Sequence, residues 1–361
     1  MARRRWCVLC GSSRQRPTVH ARFSYLLLPG FPMKNLMNHV DTVRDESLDG
    51  FAAAHSDIIV LGAARKFVRR KLVKPGKVAL ISGGGAGHEP LHVGFVGYGM
   101  LDAACPGQVF TSPKASQMHS AAIAVDGGAG ILFIVKNYSA DMMNFEMAAE
   151  MLDQDNATVI VNDDVAMEDS THTMGRRGVA GTLIVEKILG AAAERGYTLD
   201  QLKTLGDTVN KSIASMGVAL TSCTVPAAGK PTFQIGSEDM EVGVGIHGEP
   251  GRRRVRLASA DAIAAELTEA VIKDLSLRPG HEVILLVNGF GGTPLLELYL
   301  MVNAVRNVLA DSGITAVRYL TGSYVTSLEM AGCSVTVSVV DADMLELWDA
   351  PVHTSALRWG M

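Results

Sequence analysis

Three short segments carry side chains that could act on a small polar molecule. Residues 82–90 read SGGGAGHEP, which puts Gly85, Ala86 and Gly87 directly before His88 and Glu89. Consecutive glycines let backbone N–H groups crowd around an oxygen-rich ligand; the plainer reading is a structural tight turn. Residues 136–141 read KNYSAD, with a cation at Lys136 and a carboxylate at Asp141. Alone, Asp141 fits the N-cap of a following helix. Beside His88 it fits an acid–base dyad, because a carboxylate raises and orients an imidazole near neutral pH. Residues 243–251 read GVGIHGEPG, so His247 is flanked by glycines and a substrate carbon could reach its ring. A lone histidine is more often a satisfied structural residue, but two His–Glu–Pro loops, GHEP and HGEPG, favour a shared site. The other histidines read as surface or core.

Several chemistries are excluded by spacing. No G-x-x-x-x-G-K-[ST] occurs, and His88 stands where a dinucleotide fingerprint needs its third glycine. No G-x-S-x-G elbow supports serine hydrolysis. Asp163 with Asp164, and Glu168 with Asp169, could hold Mg²⁺, but a solvated turn and helix start is the better reading of them, so no metal is expected. Residues 175–178, GRRG, could hold an anion at a helix N-terminus or meet a docking partner.

These segments need a scaffold, and the chain of 361 residues is long enough for about two domains. Hydrophobic residues at 48% against 19% charged supply a core and exclude a disordered chain. No apolar run approaches the ~20 residues that cross a bilayer. Residues 1–32 hold six arginines and no acid; without them 27 basic residues face 37 acidic ones, a balance of −10. So acidic a body argues against nucleic acid or an anionic membrane as partner. The basic cluster Arg252, Arg253, Arg254 and Arg256 reads as a solvated loop. The first 32 residues have the composition of a transit peptide or of translation from an upstream start, with Met33 the genuine beginning. Cys7 and Cys10 form a C-x-x-C without the further ligands a zinc site needs. With Cys105, Cys223 and Cys333 isolated, a reducing cytoplasm is expected.

From residue 77 onward, short apolar runs alternate with glycine-rich or polar loops and helical patterns. Runs at 77–81, 130–135 and 157–161 read as buried strands of a largely parallel sheet. A helix fits 178–193, another helical stretch 199–215, and further strands fit 216–221, 241–246, 282–287, 314–320 and 334–340. Helices fit 261–274 and 294–310, with Pro294 in the first turn and Thr293 as its cap. The expected fold is α/β: two α/β domains on mixed, largely parallel sheets, residues 33–210 and 211–361, with the site at their interface, where ligands sit in such sheets.

The segments GKVALISGGGAGHEP, ACPGQVFTSP, VKNYSADMMNFE, MGRRGVAGT, CTVPAAGKP and VGVGIHGEPG, in this order, resemble the substrate-binding K subunit of dihydroxyacetone kinase. The resemblance runs from Met33 to the terminal LWDAPVHTSALRWG. It implies that Gly85, Ala86, Gly87, His88, Lys136 and Asp141 contact a triose. It also implies that a ring nitrogen of His247 adds to the ketone carbon as a hemiaminal, and that His88, assisted by Asp141, is the base on the accepting hydroxyl. No cofactor is expected in this chain; ADP or ATP with Mg²⁺ would sit on a separate L subunit, charged from phosphoenolpyruvate through a phosphotransferase-system M protein. A homodimer through the first domain is implied as well. Two alternatives remain: a four-carbon ketose such as erythrulose as substrate, and a triose-sensing regulator that catalyses nothing. Only a ketone offers an electrophilic carbon, so a nucleophilic histidine can separate it from glycerol where a polar pocket discriminates weakly.

Overall fold

The computed structural model describes residues 35–166, 175–249 and 251–361. The 1–32 extension with Cys7 and Cys10, the start at Met33, Glu168 and Asp169 lie outside the described residues.

The chain runs α1 (Val43–Ala54), β1 (Ile59–Leu61), β2 (Val68–Arg70), β3 (Ala79–Ala86), β4 (Ala103–Val109), α2 (Ala115–Val125), β5 (Ile131–Lys136), α3 (Ser139–Glu150) and β6 (Asn156–Val161). Then follow α4 (Gly181–Glu194), α5 (Leu199–Lys211), β7 (Ile213–Ala219), β8 (Thr224–Val225), β9 (Lys230–Pro231), β10 (Asp239–Val242) and β11 (Arg253–Arg256). The remainder is α6 (Ala260–Asp274), β12 (Glu282–Gly289), α7 (Leu295–Asp311), β13 (Thr315–Gly322), β14 (Gly332–Val339), α8 (Ala342–Asp349), β15 (Val352–His353) and β16 (Arg358–Trp359). No helix of the described residues is long and apolar enough to cross a membrane.

Two six-stranded sheets result, in the orders β1-β2-β4-β3-β5-β6 and β11-β10-β7-β14-β12-β13. Both are mixed. In the first, β4, β3, β5 and β6 are parallel and the β1–β2 hairpin adds antiparallel. In the second, only β12 and β13 pair in parallel; β14 slots antiparallel between β7 and β12. Strands buried on both faces give unbroken apolar runs in either arrangement, so the run itself carries no direction.

Helix α4 lies between the sheets, packing on β3, β5 and β6 on one side and β7 and β14 on the other. Thirteen of its residues are buried, Glu186 and Lys187 among them, because both its faces are covered. Leu80 and Leu132 of the first sheet, Leu183 and Ile188 of α4, and Ile284 and Leu286 of the second sheet belong to one buried cluster. The C-terminal residues leave the second sheet and reach back to the segment between β3 and β4: His353 exchanges both backbone hydrogen bonds with Tyr98, at 2.9 and 3.1 Å.

Three local expectations are corrected. Gly83, Gly84 and Gly85 of SGGGAG do not form a loop before a helix; they lie inside β3, all eight residues of which are buried, and only Gly87 follows the strand. Pro294 is the N-cap of α7 rather than its first helical residue, and Thr293 does not cap. The Thr293 hydroxyl instead binds the Gly332 backbone, donating to its carbonyl and accepting from its N–H, at 2.8 and 2.7 Å. The arginine cluster is an edge strand, β11, rather than a loop, with Arg253, Arg254 and Arg256 paired to Glu266, Glu241 and Glu238.

Candidate active site

Parallel β3 and β5 end at the same edge of the first sheet, where ligands gather in open α/β sheets. Backbone without Cβ atoms makes the site possible. A Cβ on Gly84 would sit 2.4 Å from the Lys136 ammonium, and one on Gly85 would meet the Thr111 nitrogen at 2.6 Å and Phe110 backbone at 2.7 Å. Bare strand therefore admits the lysine on one side and the 110–111 turn on the other.

Lys136, the last residue of β5, is fully buried. Its Nζ lies 3.0 Å from His92 Nε2, 3.4 Å from the Gly83 carbonyl and 3.6 Å from Asp141 Oδ2. Asp141 stands in the first turn of α3 at 4% exposure; Tyr138 is the N-cap position, so Asp141 is not a cap. Its carboxylate faces Lys136.

His88 is 1% exposed, and its Nδ1 lies 2.7 Å from the Thr326 carbonyl in the second half of the chain. A carbonyl only accepts, so Nδ1 carries the proton and Nε2 keeps a lone pair. Nε2 is buried without a partner. Burial, with smaller contributions from His247 and Lys136, holds this imidazole well below its ordinary pKa, hence neutral. The expected dyad is corrected here: His88 and Asp141 share no hydrogen bond. The backbone of Thr326 orients the ring, and Asp141 balances the lysine.

His247 follows β10 on the loop from Gly243 to Glu249 and meets the first-sheet residues edge to face. Its ring centroid is 4.7 Å from that of His88 at 80°, 4.5 Å from that of Tyr138 at 89° and 5.4 Å from that of Phe110 at 90°. Phe110 also stacks on His88 at 4.9 Å. The His247 backbone N–H donates to Glu249 Oε2 at 3.0 Å, and Nδ1 lies 3.1 Å from Oε1. Burial alone would raise the Glu249 carboxyl, but the His247 hydrogen bond and charge, with Arg177 4.0 Å away, outweigh it and bring its pKa down to about 2. An ionised acceptor at Nδ1 fixes the proton there and leaves the His247 Nε2 lone pair outward. Gly85, Ala86, Gly87, His88, Lys136, Asp141 and His247 thus converge from both halves of the chain.

The acidic pair and GRRG turn out to be supports. Asp163 accepts from the Val179 and Gly181 N–H groups, each at 2.7 Å, and from the Ser215 hydroxyl, tying the start of α4 to β7. Arg177 bonds Asp164 at 2.7 Å and the Gly243 carbonyl at 2.9 Å. Buried and satisfied within the protein, these groups are neither a solvated turn nor an anion site. Among the described residues no set of three His, Cys, Asp or Glu side chains is arranged to hold a metal.

The Dak1 domain family model matches residues 49–356. The chain belongs to the Dak1 family. Its curated relatives include the dihydroxyacetone-binding subunit DhaK of the PTS-dependent dihydroxyacetone kinase 1 of Listeria innocua, 46% identical over 90% of this chain and the whole of that protein. Another is the corresponding DhaK subunit of the PEP-dependent kinase of Escherichia coli, 46% identical over 91% of this chain and the whole of that protein. Among solved structures, the dihydroxyacetone kinase of C. freundii aligns at TM-score 0.79 and 33% identity, covering 89% of this chain and 60% of that one. A dihydroxyacetone kinase operon co-activator aligns at TM-score 0.82 and 33% identity, covering 86% and 97%.

In this Dak1 chain, His92, Glu186, Phe110, Tyr138 and Thr326 shape the site although no chemistry was expected of them, and Arg177 of GRRG shapes it as a support. His92 sits four residues beyond His88 in the same loop, a signal that was available. Glu186 and Thr326 reach the site only through tertiary contacts and left none. The Tyr138 hydroxyl is buried without a hydrogen-bond partner.

Proposed function

We propose that this chain is the dihydroxyacetone-binding subunit of a phosphotransferase-system-dependent dihydroxyacetone kinase. The observation that carries the reading is the pair of perpendicular imidazoles, 4.7 Å apart, each tied at Nδ1, with His88 Nε2 left without a partner, beside the Lys136–Asp141 cradle. His247 Nε2 adds to the ketone carbon: the N–C bond forms, the carbonyl π electrons move to oxygen, that oxygen takes a proton from water, and the ring returns one to solvent by giving up its Nδ1 proton by way of the Glu249 carboxylate. The hemiaminal holds the triose with Lys136, Asp141 and the Gly85–His88 backbone around its hydroxyls. His88 Nε2 then accepts the proton of the terminal hydroxyl as it attacks phosphorus. A neutral, weakly basic imidazole suits this task, because phosphoryl transfer rests mainly on positioning and charge.

The phosphoryl group would come from a separate L-type subunit carrying the nucleotide and Mg²⁺, recharged from phosphoenolpyruvate through an M protein. Relatives covered along their whole length are named as binding subunits, which supports this division of labour. A second reading, a triose sensor, has its own support in the similarity to an operon co-activator. The open His88 Nε2 favours the kinase, since a sensor needs only the His247 bond. Mixing the chain with dihydroxyacetone, erythrulose or glycerol, ATP or phosphoenolpyruvate and the relay proteins tests the reading. Dihydroxyacetone phosphate should form only when an L-type subunit is added. Product from the chain with ATP alone would refute the division of labour, and no product under any combination would favour the sensor.

A further inference from the structure

Behind Lys136 lies a row of buried ionisable groups that the reaction above does not use. His92 Nε2 is 3.0 Å from Lys136 Nζ, and His92 Nδ1 is 2.6 Å from Glu186 Oε1 on α4. His92 is 5% exposed and the other two are fully buried. The second Glu186 oxygen is buried with no hydrogen-bond partner. A Cβ on Gly84 would lie 2.4 Å from the Lys136 ammonium and 3.5 Å from His92 Nε2, so the bare strand makes the room in which the pair meets.

Hydrogen-bond roles follow from the chemistry. An ammonium only donates, so His92 Nε2 accepts; the single proton of the neutral ring then sits on Nδ1 and faces a carboxylate. The row has one other arrangement with the same number of protons. Lys136 passes a proton to Nε2, Nδ1 passes its own to Glu186, and amine, imidazole and carboxylic acid replace ammonium, imidazole and carboxylate. Burial pulls toward the second by raising Glu186 well above the ordinary carboxyl range, while burial, Lys136 and His88 keep His92 neutral. Asp141, facing Lys136 from α3, and the Gly83 carbonyl of β3 pull toward the first. Ser82 of β3 also faces Glu186 and favours its charged form.

We propose that His92 and Glu186 are positioning residues that hold the Lys136 ammonium in the substrate cradle from behind. This rests on Lys136 being a triose contact. An unsupported lysine has three rotatable donors and no fixed direction; the imidazole gives it one, and Glu186 fixes the tautomer that allows it.

Calorimetric titration of the full chain with dihydroxyacetone across pH, without any second subunit, provides the test. Glu186→Gln keeps the shape and an acceptor for Nδ1–H but removes the charge. It should weaken binding about ten-fold. His92→Phe should weaken binding at least as much, and His92→Gln, whose amide can accept from Nζ, should restore part of it. Folding is checked by melting curves; if His92→Phe does not fold, the near-isosteric Glu186→Gln decides. Folded variants with wild-type affinity, or a His92→Gln chain that binds no better than His92→Phe, would overturn the inference alone. A wild-type chain that fails to bind the triose at any pH would overturn both the inference and the functional reading beneath it.

Discussion

Replacing Glu249 by glutamine isolates the group that keeps the His247 lone pair on the substrate side. The Glu249 carboxyl titrates at about 2 instead of the ordinary 4.5, although burial works against it. Because the folded value lies below the unfolded one, the stabilisation this carboxylate contributes is present above the ordinary 4.5 and is lost as pH falls through about 2. An amide keeps the shape but not the charge, and its NH₂ can donate to Nδ1, which would move the ring proton to Nε2 and close the nucleophile. Losing a charged acceptor at about 1.5–3 kcal/mol predicts roughly ten- to hundred-fold less adduct. ¹³C NMR with dihydroxyacetone labelled at its central carbon reads the ratio of trigonal ketone to bound tetrahedral carbon directly, with a melting curve as the folding check. A folded Glu249→Gln chain that forms as much adduct as wild type would refute the tautomer argument.

His88→Asn should leave triose affinity within a few-fold but lower the reconstituted phosphorylation rate by at least ~100-fold; binding by calorimetry against turnover separates the two. Gly85→Ala would drive a methyl into Phe110 and Thr111 backbone, so thermal stability should fall by about 1–3 kcal/mol and turnover should fall as Phe110 shifts off His88. Asp163→Ala leaves two backbone donors unsatisfied between α4 and β7 and leaves the Ser215 hydroxyl only its Thr336 partner; chemical denaturation should show a loss of at least ~2 kcal/mol with the pH optimum of turnover unmoved.

Much of this architecture could be read from the order of residues, and what could not has definite causes. Alternation of apolar runs with glycine loops exposed β3, β5, β6 and, in the second sheet, β7, β12, β13 and β14, since burial on both faces demands such runs, whereas the exposed edge strand β11 read as a loop. The same uniformity concealed that β14 runs antiparallel to both neighbours. Glycines argue for turns by propensity, yet Gly83–Gly85 extend β3 because Lys136 and the 110–111 turn need the space that side chains would fill. His88, Lys136, Asp141 and His247 were found by residue type within loops, but their pairings were not. Asp141 faces Lys136 instead of His88, and a backbone carbonyl at Thr326, 238 positions away, orients the catalytic candidate. Asp163 and Asp164 looked like a solvated turn because charge type alone says nothing of the Arg177, Ser215 and backbone partners that satisfy them in the interior.

A well-resolved crystal structure of the chain soaked with dihydroxyacetone tests the central claim most directly. The account predicts continuous bonding between His247 Nε2 and a tetrahedral carbon, with the terminal hydroxyls reaching the Lys136–Asp141 cradle and His88 Nε2. A triose held with its carbonyl intact and planar, away from the His247 ring, would contradict it.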